Sequence, residues 1–260
     1  MRLFVIPDTL HVGPIPLHLF GLLLAAAFLA AGQVATRGFV RFGYGEEVGG
    51  SVLTWAVVGS LVGAKLWLVL ADWPSFVMHP LDFVLSGSGW VFYGGLLGGV
   101  VAVSWVFRRE EIPWLRGADV CAPAIALGQA IGRLGCQVSG DGDWGVVTDL
   151  PWGMRYPHAV AGWPYEDPSV YVHPTPLYEA AAYLAVFAFL WRGRARPAPD
   201  GTRFAWYLVL ASGARFAVEF VRTNDVVAIG LTAAQLASLV LIAIGVALLA
   251  GRGRWRAGAA

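Results

Sequence analysis

Long apolar stretches alternate with short polar segments along almost the whole chain. Residues 17–35, 90–107 and 226–250 contain no Asp, Glu, Lys or Arg. An α-helix rises about 1.5 Å per residue, so roughly 20 apolar residues cross the hydrocarbon core of a bilayer, which is about 30 Å thick. These three stretches are therefore predicted to be membrane-spanning helices.

Four other stretches are almost as apolar but carry an ionisable residue within them or at one end. They are residues 51–71, 119–134, 176–191 and 204–221. We expect these to cross the membrane too, which gives seven predicted spans. An ionised side chain at the centre of a bilayer costs about 2.5–3.5 kcal/mol on insertion scales, so each embedded charge is a candidate for a functional site.

The distribution of basic residues predicts the orientation of the spans. Of the 18 Lys and Arg residues, twelve lie in alternate connections. They are Arg37, Arg41, Arg108, Arg109, Arg116, Arg192, Arg194, Arg196, Arg203, Arg252, Arg254 and Arg256. Because connections rich in Lys and Arg face the cytoplasm, the N-terminus and the segment 136–175 are placed on the outer side. Prolines at positions 7, 14 and 16 argue against a cleavable signal peptide.

The composition agrees with a membrane protein and excludes other classes. Apolar residues make up 57% of the 260 residues, charged residues make up 13%, and the mean hydropathy is +0.63. A soluble domain contains roughly a quarter charged residues. A net charge of +1 argues against nucleic acid as a partner, and the 2 cysteines show neither a disulfide framework nor metal-ligand spacing. We therefore predict an all-α integral membrane protein with a single domain, residues 1–260, and a loop-rich outer cap at 136–175.

The sixth predicted span carries three charged residues on one face. Arg215, Glu219 and Arg222 are separated by four and three positions, which aligns them along a helix. A structural pair between Arg215 and Glu219 explains part of this pattern but leaves Arg222 without a role. A polyanionic ligand explains the surplus positive charge better.

A glycine-rich segment follows the fourth predicted span. Arg133 opens the sequence GRLGCQVSGDGDWG, in which five glycines are expected to break the helix near the outer surface. Irregular backbone at membrane depth is tolerated where it is packed in protein or lines a cavity. An arginine beside such a loop can present its planar guanidinium, together with backbone amides, to a phosphate.

Two further segments contribute polar groups. In VFYGGLLGGV, the pairs Gly94/Gly98 and Gly95/Gly99 have the spacing of close helix packing, while the Tyr93 phenol is placed either at an interface or in a cavity. In HPTPLYEA, His173 is a candidate ligand. Glu179 is expected in the first helical turn, where capping of the helix N-terminus accounts for its charge as well as a functional role does.

These four segments, in this order, resemble the prolipoprotein diacylglyceryl transferases of bacteria. The stretches GPIPLHLFGLLL, VGAKLWLVL and LTAAQLASLVLIAIGV extend the resemblance over essentially the whole chain. It implies a multi-pass enzyme of the bacterial inner membrane with seven helices and a periplasmic N-terminus and cap. The family transfers the diacylglyceryl group of phosphatidylglycerol to the lipobox cysteine of a prolipoprotein signal peptide, releases glycerol phosphate, and uses neither a cofactor nor a metal.

The resemblance also implies roles for particular residues. Arg133 matches the arginine that contacts the lipid headgroup, Arg215 and Glu219 match the essential pair of the sixth helix, and Gly145 closes the signature. The expected catalytic residues are Arg133, Arg215, Glu219 and Tyr93. The expected substrate-binding residues are Gly94, Gly95, Ser139, Asp141, Asp143, Gly145, His173, Tyr178, Glu179 and Arg222.

The chain departs from the family at several positions. Tyr93 stands where His is common, Cys136 and Ser139 where Asn is common, and Phe20 and Ala211 where Tyr is common. The general base is thus left open: Tyr93 either accepts the thiol proton or only orients the headgroup.

Two further alternatives stay open, one for the nucleophile and one for the function. The reacting thiol is expected on the peptide, so both cysteines should be dispensable, with Cys136 as the alternative nucleophile. The alternative function, from another class, is a lipid-binding or transport protein that holds a headgroup without chemistry.

Overall fold

The fold is taken from a computed structural model, which describes residues 3–4, 9–12, 15–81 and 91–257. Its helices are α1 Leu19–Arg41, α2 Glu46–Ala71, α3 Trp73–Met78, α4 Phe92–Arg109, α5 Trp114–Ser139, α6 Thr175–Gly193, α7 Thr202–Glu219 and α8 Ala233–Ala257. Apart from α3, each of these helices overlaps one predicted span. The prediction of an all-α protein is confirmed, and residue 90 of the third predicted span lies outside the described residues.

Three of the described helices are long and apolar enough to cross a membrane: α1, α2 and residues Ala233–Gly251 of α8. The helices α5, α6 and α7 contain charged residues, which lower their mean hydropathy. Helix α4 has only 18 residues and ends in Arg108 and Arg109. A membrane protein is therefore supported by length and composition.

The seventh predicted span begins too early. Residues 226–232 form an antiparallel hairpin of β5 Val226–Ala228 and β6 Leu231–Thr232, and the helix starts only at Ala233. Ile229 and Gly230 turn the chain at φ values of 47° and 77°. An apolar run of this length does not distinguish a strand from a helix, and the left-handed turn ends any helical path.

The expected break lies within the glycine-rich segment, but in its second half. Helix α5 continues through Gly132 and Gly135 and ends at Ser139, so Arg133 lies within the helix. Gly140 and Gly142 adopt φ values of 60° and 93°, a left-handed conformation that glycine reaches without strain. The helix therefore ends at Ser139, beyond Arg133, where the chain turns at two glycines.

The remaining strands are short. Strand β1 Leu3–Phe4 pairs in parallel with β4 Met154–Arg155, and β2 Thr9–Val12 pairs antiparallel with β3 Ile15–His18. The pairing of β1 with β4 links the N-terminal segment to the region between α5 and α6, whereas β2 and β3 pair within the N-terminal segment. They add little regular structure to a helical protein.

The chain divides into two compact units, Ala35–Gly117 and the pair Met1–Val34 and Ala118–Ala260. In the first, helices α2 and α4 pack closely through glycine. A Cβ atom on Gly98 would clash with Gly59 O and Gly63 Cα, and one on Gly95 would lie 3.3 Å from Ser60 O. The helix-packing interpretation of these glycines agrees with this geometry.

In the second unit, α5, α6 and α7 share a core of small and aromatic residues. Ala130, Tyr183 and Ala211 form one buried cluster, with Tyr207 against it. Asp119 of α5, only 2% exposed, accepts hydrogen bonds from Gly201 N at 2.6 Å and Phe204 N at 2.8 Å. Because these amides begin α7, the carboxylate fixes the start of that helix against α5.

The segment between α5 and α6 folds around aromatic side chains. Trp144, Tyr156 and Val172 are buried together, and the Trp144 and Tyr156 rings stack with centroids 5.2 Å apart. Tyr156 Oη donates to Gln137 Oε1 of α5 at 2.9 Å. The loop-rich region thus has its own core and is attached to the helix that carries Arg133.

Candidate functional site

Three arginines and three carboxylates meet in the second unit. Arg133 comes from α5, Glu179 from α6, and Arg215 and Glu219 from α7. Arg222 follows α7, and Asp143 lies in the loop after α5. The structure therefore brings together six residues that the sequence identified in separate segments.

Glu179 lies at the centre of this charge cluster and has no exposed side-chain surface. Its Oε2 is 2.7 Å from Arg133 Nε and 3.8 Å from Arg222 Nη1, and its Oε1 is 3.2 Å from Arg215 Nε. Neither oxygen accepts a well-aligned hydrogen bond from the described residues, so the contacts are mainly electrostatic. Buried carboxylates are retained only when they are paired, and here three cations provide the pairing.

Of the two interpretations that the sequence left open for Glu179, capping of its helix is wrong. Helix α6 begins at Thr175 and has no acidic residue in its first turn. Glu179 is in the second turn, and its carboxylate binds side chains of other helices instead of the free amides. Pro176 is the second residue of α6, where its fixed φ suits a helix and its missing N–H leaves one fewer amide without a partner.

Glu219 is the second buried carboxylate of the cluster. It pairs with Arg215, four residues earlier, and lies 3.6 Å from Arg222 Nε, as the spacing predicted. Its Oε1 also accepts hydrogen bonds from Asn224 Nδ2 and Thr232 Oγ1, both at 2.7 Å. The sequence did not identify these two residues, because their contact depends on the hairpin that precedes α8.

Asp143 bridges two arginines from different parts of the chain. Its carboxylate accepts hydrogen bonds from Arg133 and Arg222, and its backbone oxygen accepts from Arg222 Nη1 at 3.1 Å. Burial alone would raise the pKa of Asp143, but the hydrogen bonds and positive charges of Arg222 and Arg133 lower it overall. Asp143 is therefore ionised and held firmly between the two guanidinium groups.

The prediction that the site has a surplus of positive charge is wrong for the described residues. Three arginines face Asp143, Glu179 and Glu219, so the charges within the cluster are equal. The sequence missed this because two of the carboxylates reach the cluster from other segments. The cluster does retain donors: the contacts of Arg133 and Arg215 with described residues use Nε and Nη1, which leaves Nη2 of each for another acceptor.

Solvent reaches one side of the cluster. The side chains of Arg133, Arg215 and Asp143 are 24%, 18% and 28% exposed, whereas those of Arg222, Glu179 and Glu219 are at most 6% exposed. A ligand can therefore meet Arg133 and Arg215, while the buried groups fix their orientation. The pairing of two accessible guanidinium groups suits a phosphate.

Gly145 and Ser139 both make contacts within the protein itself. Gly145 N donates to His173 O at 2.8 Å, and a Cβ atom at this position would clash with Val221 O and lie 2.9 Å from His173 Cβ. This close packing requires glycine. Ser139 Oγ donates to Cys136 O at 3.4 Å within its own helix.

Cys136, Asp141 and Asp143 place their ligand atoms within 4.8 Å of one another. Arg133 Nη1 is 3.9 Å from Cys136 Sγ and also binds Asp143. Burial raises the pKa of Asp141, whose Oδ1 accepts from Asp143 N at 3.3 Å. With arginines this close, the surroundings favour an anion over a cation.

His173 and Tyr178 belong to a second feature, a wide-open apolar cavity of about 490 Å³. It is lined by Leu150, Trp152, His173, Tyr178, Ala217, Val218 and Val221. Tyr178 Oη accepts a hydrogen bond from Trp152 Nε1 at 2.8 Å and lies 3.1 Å from His173 Nδ1. The polar groups in this cavity are thus joined in one chain.

Tyr93, Gly94 and Gly95 lie in α4, within the unit Ala35–Gly117. The Tyr93 side chain is 62% exposed, while the glycines pack against α2. Their assignment to the substrate site therefore remains a prediction from the sequence.

Comparison with known proteins gives a consistent match over nearly the whole chain. A family model described as prolipoprotein diacylglyceryl transferase matches residues 7–251. Relatives carrying the name phosphatidylglycerol-prolipoprotein diacylglyceryl transferase include one from Cupriavidus pinatubonensis, 35% identical over 93% of this chain and 89% of its own. Others come from Aromatoleum aromaticum, 35% identical over 94% of both chains, and from Synechococcus elongatus, 32% identical over 92% and 85%. This chain therefore belongs to the prolipoprotein diacylglyceryl transferase family.

Proposed function

We propose that this protein is an enzyme that transfers the diacylglyceryl group of phosphatidylglycerol to the lipobox cysteine of prolipoproteins. The observation that carries this proposal is the pair of partly exposed arginines, Arg133 and Arg215, oriented by buried carboxylates. The family match supplies the substrates, which the names of the relatives state.

The reaction makes two demands on the site. A sulfur–carbon bond forms at the glycerol carbon while the bond from that carbon to the phosphate oxygen breaks. Glycerol phosphate therefore leaves with one more negative charge than the phosphate carried in the lipid. Preorganised donors aimed at this developing charge lower the barrier, and Arg133 and Arg215 offer Nη2 groups for that purpose. The thiol must also lose its proton.

The carboxylates have distinct proposed roles. Glu179 and Glu219, both buried, hold the guanidinium groups in place before substrate arrives, which avoids reorganisation during the reaction. Asp143 occupies a position between Arg133 and Arg222 that suits any anion. We infer that Asp143 stays on Nη1 of Arg133 and that the phosphate of the lipid binds the remaining Nη2 beside it.

The other expected site residues support the lipid site in different ways. Tyr93 is proposed as a headgroup ligand on its position in the sequence, together with Gly94 and Gly95. Ser139, Asp141 and Gly145 shape the loop that carries Asp143, since each bonds within that loop or to its neighbours. His173 and Tyr178 are assigned to the second substrate below.

The proposed location is the bacterial inner membrane, crossed seven times. The seven long helices among the described residues supply the spans, with the N-terminus and the cap in the periplasm. Arg41, Arg109 and Arg192 lie in the last turns of α1, α4 and α6, where cations also favour the helix dipole. The lipid bilayer is then both solvent and source of substrate.

A direct assay tests the proposal. The purified full-length protein is incubated with phosphatidylglycerol vesicles and a lipobox peptide, and the peptide is analysed by mass spectrometry. We expect a thioether-linked diacylglyceryl peptide from the wild type and from Arg192→Gln, a control at an exposed arginine, but not from Arg133→Gln. Lipid binding without product would instead support a lipid-binding or transport protein.

A further inference from the structure

The apolar cavity beside the charge cluster contains a hydrogen-bonded histidine that no step described above uses. Its walls include Val218 and Val221 of the α7 region, and Leu150 and Trp152 of the outer segment. The polar side chains that line it are His173, Tyr178 and the indole of Trp152, which the hydrogen-bond chain connects. A cavity with apolar walls and few polar groups suits an apolar chain that carries one reactive group.

The cavity adjoins the charge cluster through the backbone. Val218 and Val221 directly precede Glu219 and Arg222 in the sequence. His173 O accepts from Gly145 N at 2.8 Å, and Gly145 forms a β-bridge with Arg222. A substrate in the cavity would therefore lie next to the arginines that we assign to the leaving phosphate.

The hydrogen-bond chain orients the imidazole ring. An indole N–H only donates, so Tyr178 Oη must act as an acceptor toward Trp152. A phenol oxygen has two lone pairs, and the second can accept from His173 Nδ1–H across 3.1 Å. In this tautomer, Nε2 carries a lone pair, and after protonation the same bond to Tyr178 stabilises the imidazolium ion.

Other candidates for the proton acceptor are poorly suited. Glu179 and Glu219 are paired with arginines, and the pKa of Asp143 is lowered although burial opposes this, because Arg222 and Arg133 stabilise its charged form. A thiol has an ordinary pKa of about 8.5, while a histidine with an ordinary pKa of about 6.5 is neutral and able to accept a proton at pH 7.

We propose that His173 is the general base for the thiol and that the apolar cavity holds the cysteine-bearing segment of the prolipoprotein. This inference rests on the proposed function. His173 Nε2 takes the S–H proton as sulfur forms its bond to the glycerol carbon. The electrons of the broken carbon–oxygen bond stay with the phosphate oxygen, and the imidazolium then returns its proton to water. Tyr178 is a positioning residue for the ring.

Several charged and titratable groups lie near His173. Tyr178 contacts the ring directly, with ring centroids 5.9 Å apart. Glu219 and Arg222 flank the wall residues on the α7 side, and Asp149 precedes Leu150 on the outer segment. The nearby charges thus include both signs.

The test compares thioether formation by the full-length wild type, His173→Asn and the control His158→Asn across pH 6 to 9. Asparagine keeps a donor at the Nδ1 position but removes Nε2. We expect His173→Asn to lose at least about 100-fold at pH 7, with the loss shrinking toward pH 9 as the thiol ionises without help. His158 is exposed in the same outer segment, so its variant should match the wild type.

Further measurements separate catalysis from structure. Tyr178→Phe should lose about fivefold, roughly the effect of one hydrogen bond, and phosphatidylglycerol binding by His173→Asn should equal that of the wild type. A rate for His173→Asn within threefold of the wild type, or a loss that is the same at every pH, would overturn the assignment. Absence of product from the wild type itself would overturn the proposed function first.

Discussion

Arg133 of α5 and Glu179 of α6 form an ion pair in which the carboxylate is entirely withdrawn from solvent, with Nε and Oε2 2.7 Å apart. Removing a charge from water costs several kcal/mol, which the pair regains only through good geometry. Glu179 compensates by contacting Arg215 and Arg222 as well. A single carboxylate thus connects α5, α6 and the α7 region at the point where the site is formed.

Glu179→Gln should therefore damage both stability and activity. The amide keeps the shape of the side chain but leaves three arginines facing two carboxylates. Breaking a buried ion pair costs about 3–5 kcal/mol, so we expect a clearly lower Tm in detergent and at least a tenfold lower transfer rate. Glu166→Gln, at an exposed position between α5 and α6, is the matched control and should change neither quantity. An unchanged Tm for Glu179→Gln would show that the cluster does not depend on this charge.

Arg133 should be required for its geometry as well as its charge. Arg133→Ala removes a donor for the leaving phosphate, and we expect transfer to fall by about 100- to 1,000-fold, the usual cost of losing one such donor. Arg133→Lys should recover only part of this, since an ammonium group cannot contact Glu179, Asp143 and a phosphate with one planar fork. The variants are compared by single-turnover rates at saturating lipid. Equal rates for Arg133→Lys and the wild type would show that the planar guanidinium group is not required.

The sequence predicted the helical architecture and identified all six residues of the charge cluster, but it aligned only three of them with one another. Arg215, Glu219 and Arg222 lie close together on one element, so their spacing alone aligned them. The involvement of Glu179 and Asp143 depends on how three segments pack, which local spacing does not encode. For Glu179 the sequence left capping of the helix N-terminus and a functional role equally open, because Pro176, three residues earlier, marks the start of a helix.

The region before α8 shows a second limit of sequence reasoning. Residues 226–232 are apolar and uncharged, and they continue without interruption into the helix. The hairpin forms because Ile229 and Gly230 turn the chain. It brings Thr232 onto Glu219, a contact that hydrophobicity alone does not predict.

Acidification should weaken the loop that carries Asp143. The folded pKa of Asp143 lies below its ordinary value of 3.8, because Arg222 and Arg133 outweigh the effect of burial. Its contribution to the free energy of unfolding is therefore complete above the unfolded pKa and is lost as pH falls through the lower, folded pKa. We expect the Tm of the wild type to drop more between pH 5 and pH 3 than that of Asp143→Asn, as measured in one detergent. Parallel Tm curves would contradict the pairing.

Cys136 should be dispensable for transfer. Its sulfur lies 3.9 Å from Arg133 Nη1, close enough to invite assignment as a nucleophile. The reacting thiol belongs to the peptide, however, so Cys136→Ser should keep the rate within about tenfold, the range of a weak contact. Mass spectrometry of the intact protein after incubation with lipid checks the alternative. A diacylglyceryl adduct on Cys136, or complete inactivity of Cys136→Ser, would establish a covalent step on the enzyme.

Tyr93 should affect lipid binding more than proton transfer. If its oxygen binds the headgroup and His173 takes the proton, Tyr93→Phe loses one neutral hydrogen bond, worth about 1 kcal/mol, and KM for phosphatidylglycerol rises about fivefold while kcat and its pH profile stay unchanged. Packing should be preserved because the ring remains. Tyr93→His tests the same position with a group of lower pKa and should retain activity if the position and not the phenol matters. A loss of at least about 100-fold in kcat for Tyr93→Phe, combined with a normal rate for His173→Asn, would instead make Tyr93 the base.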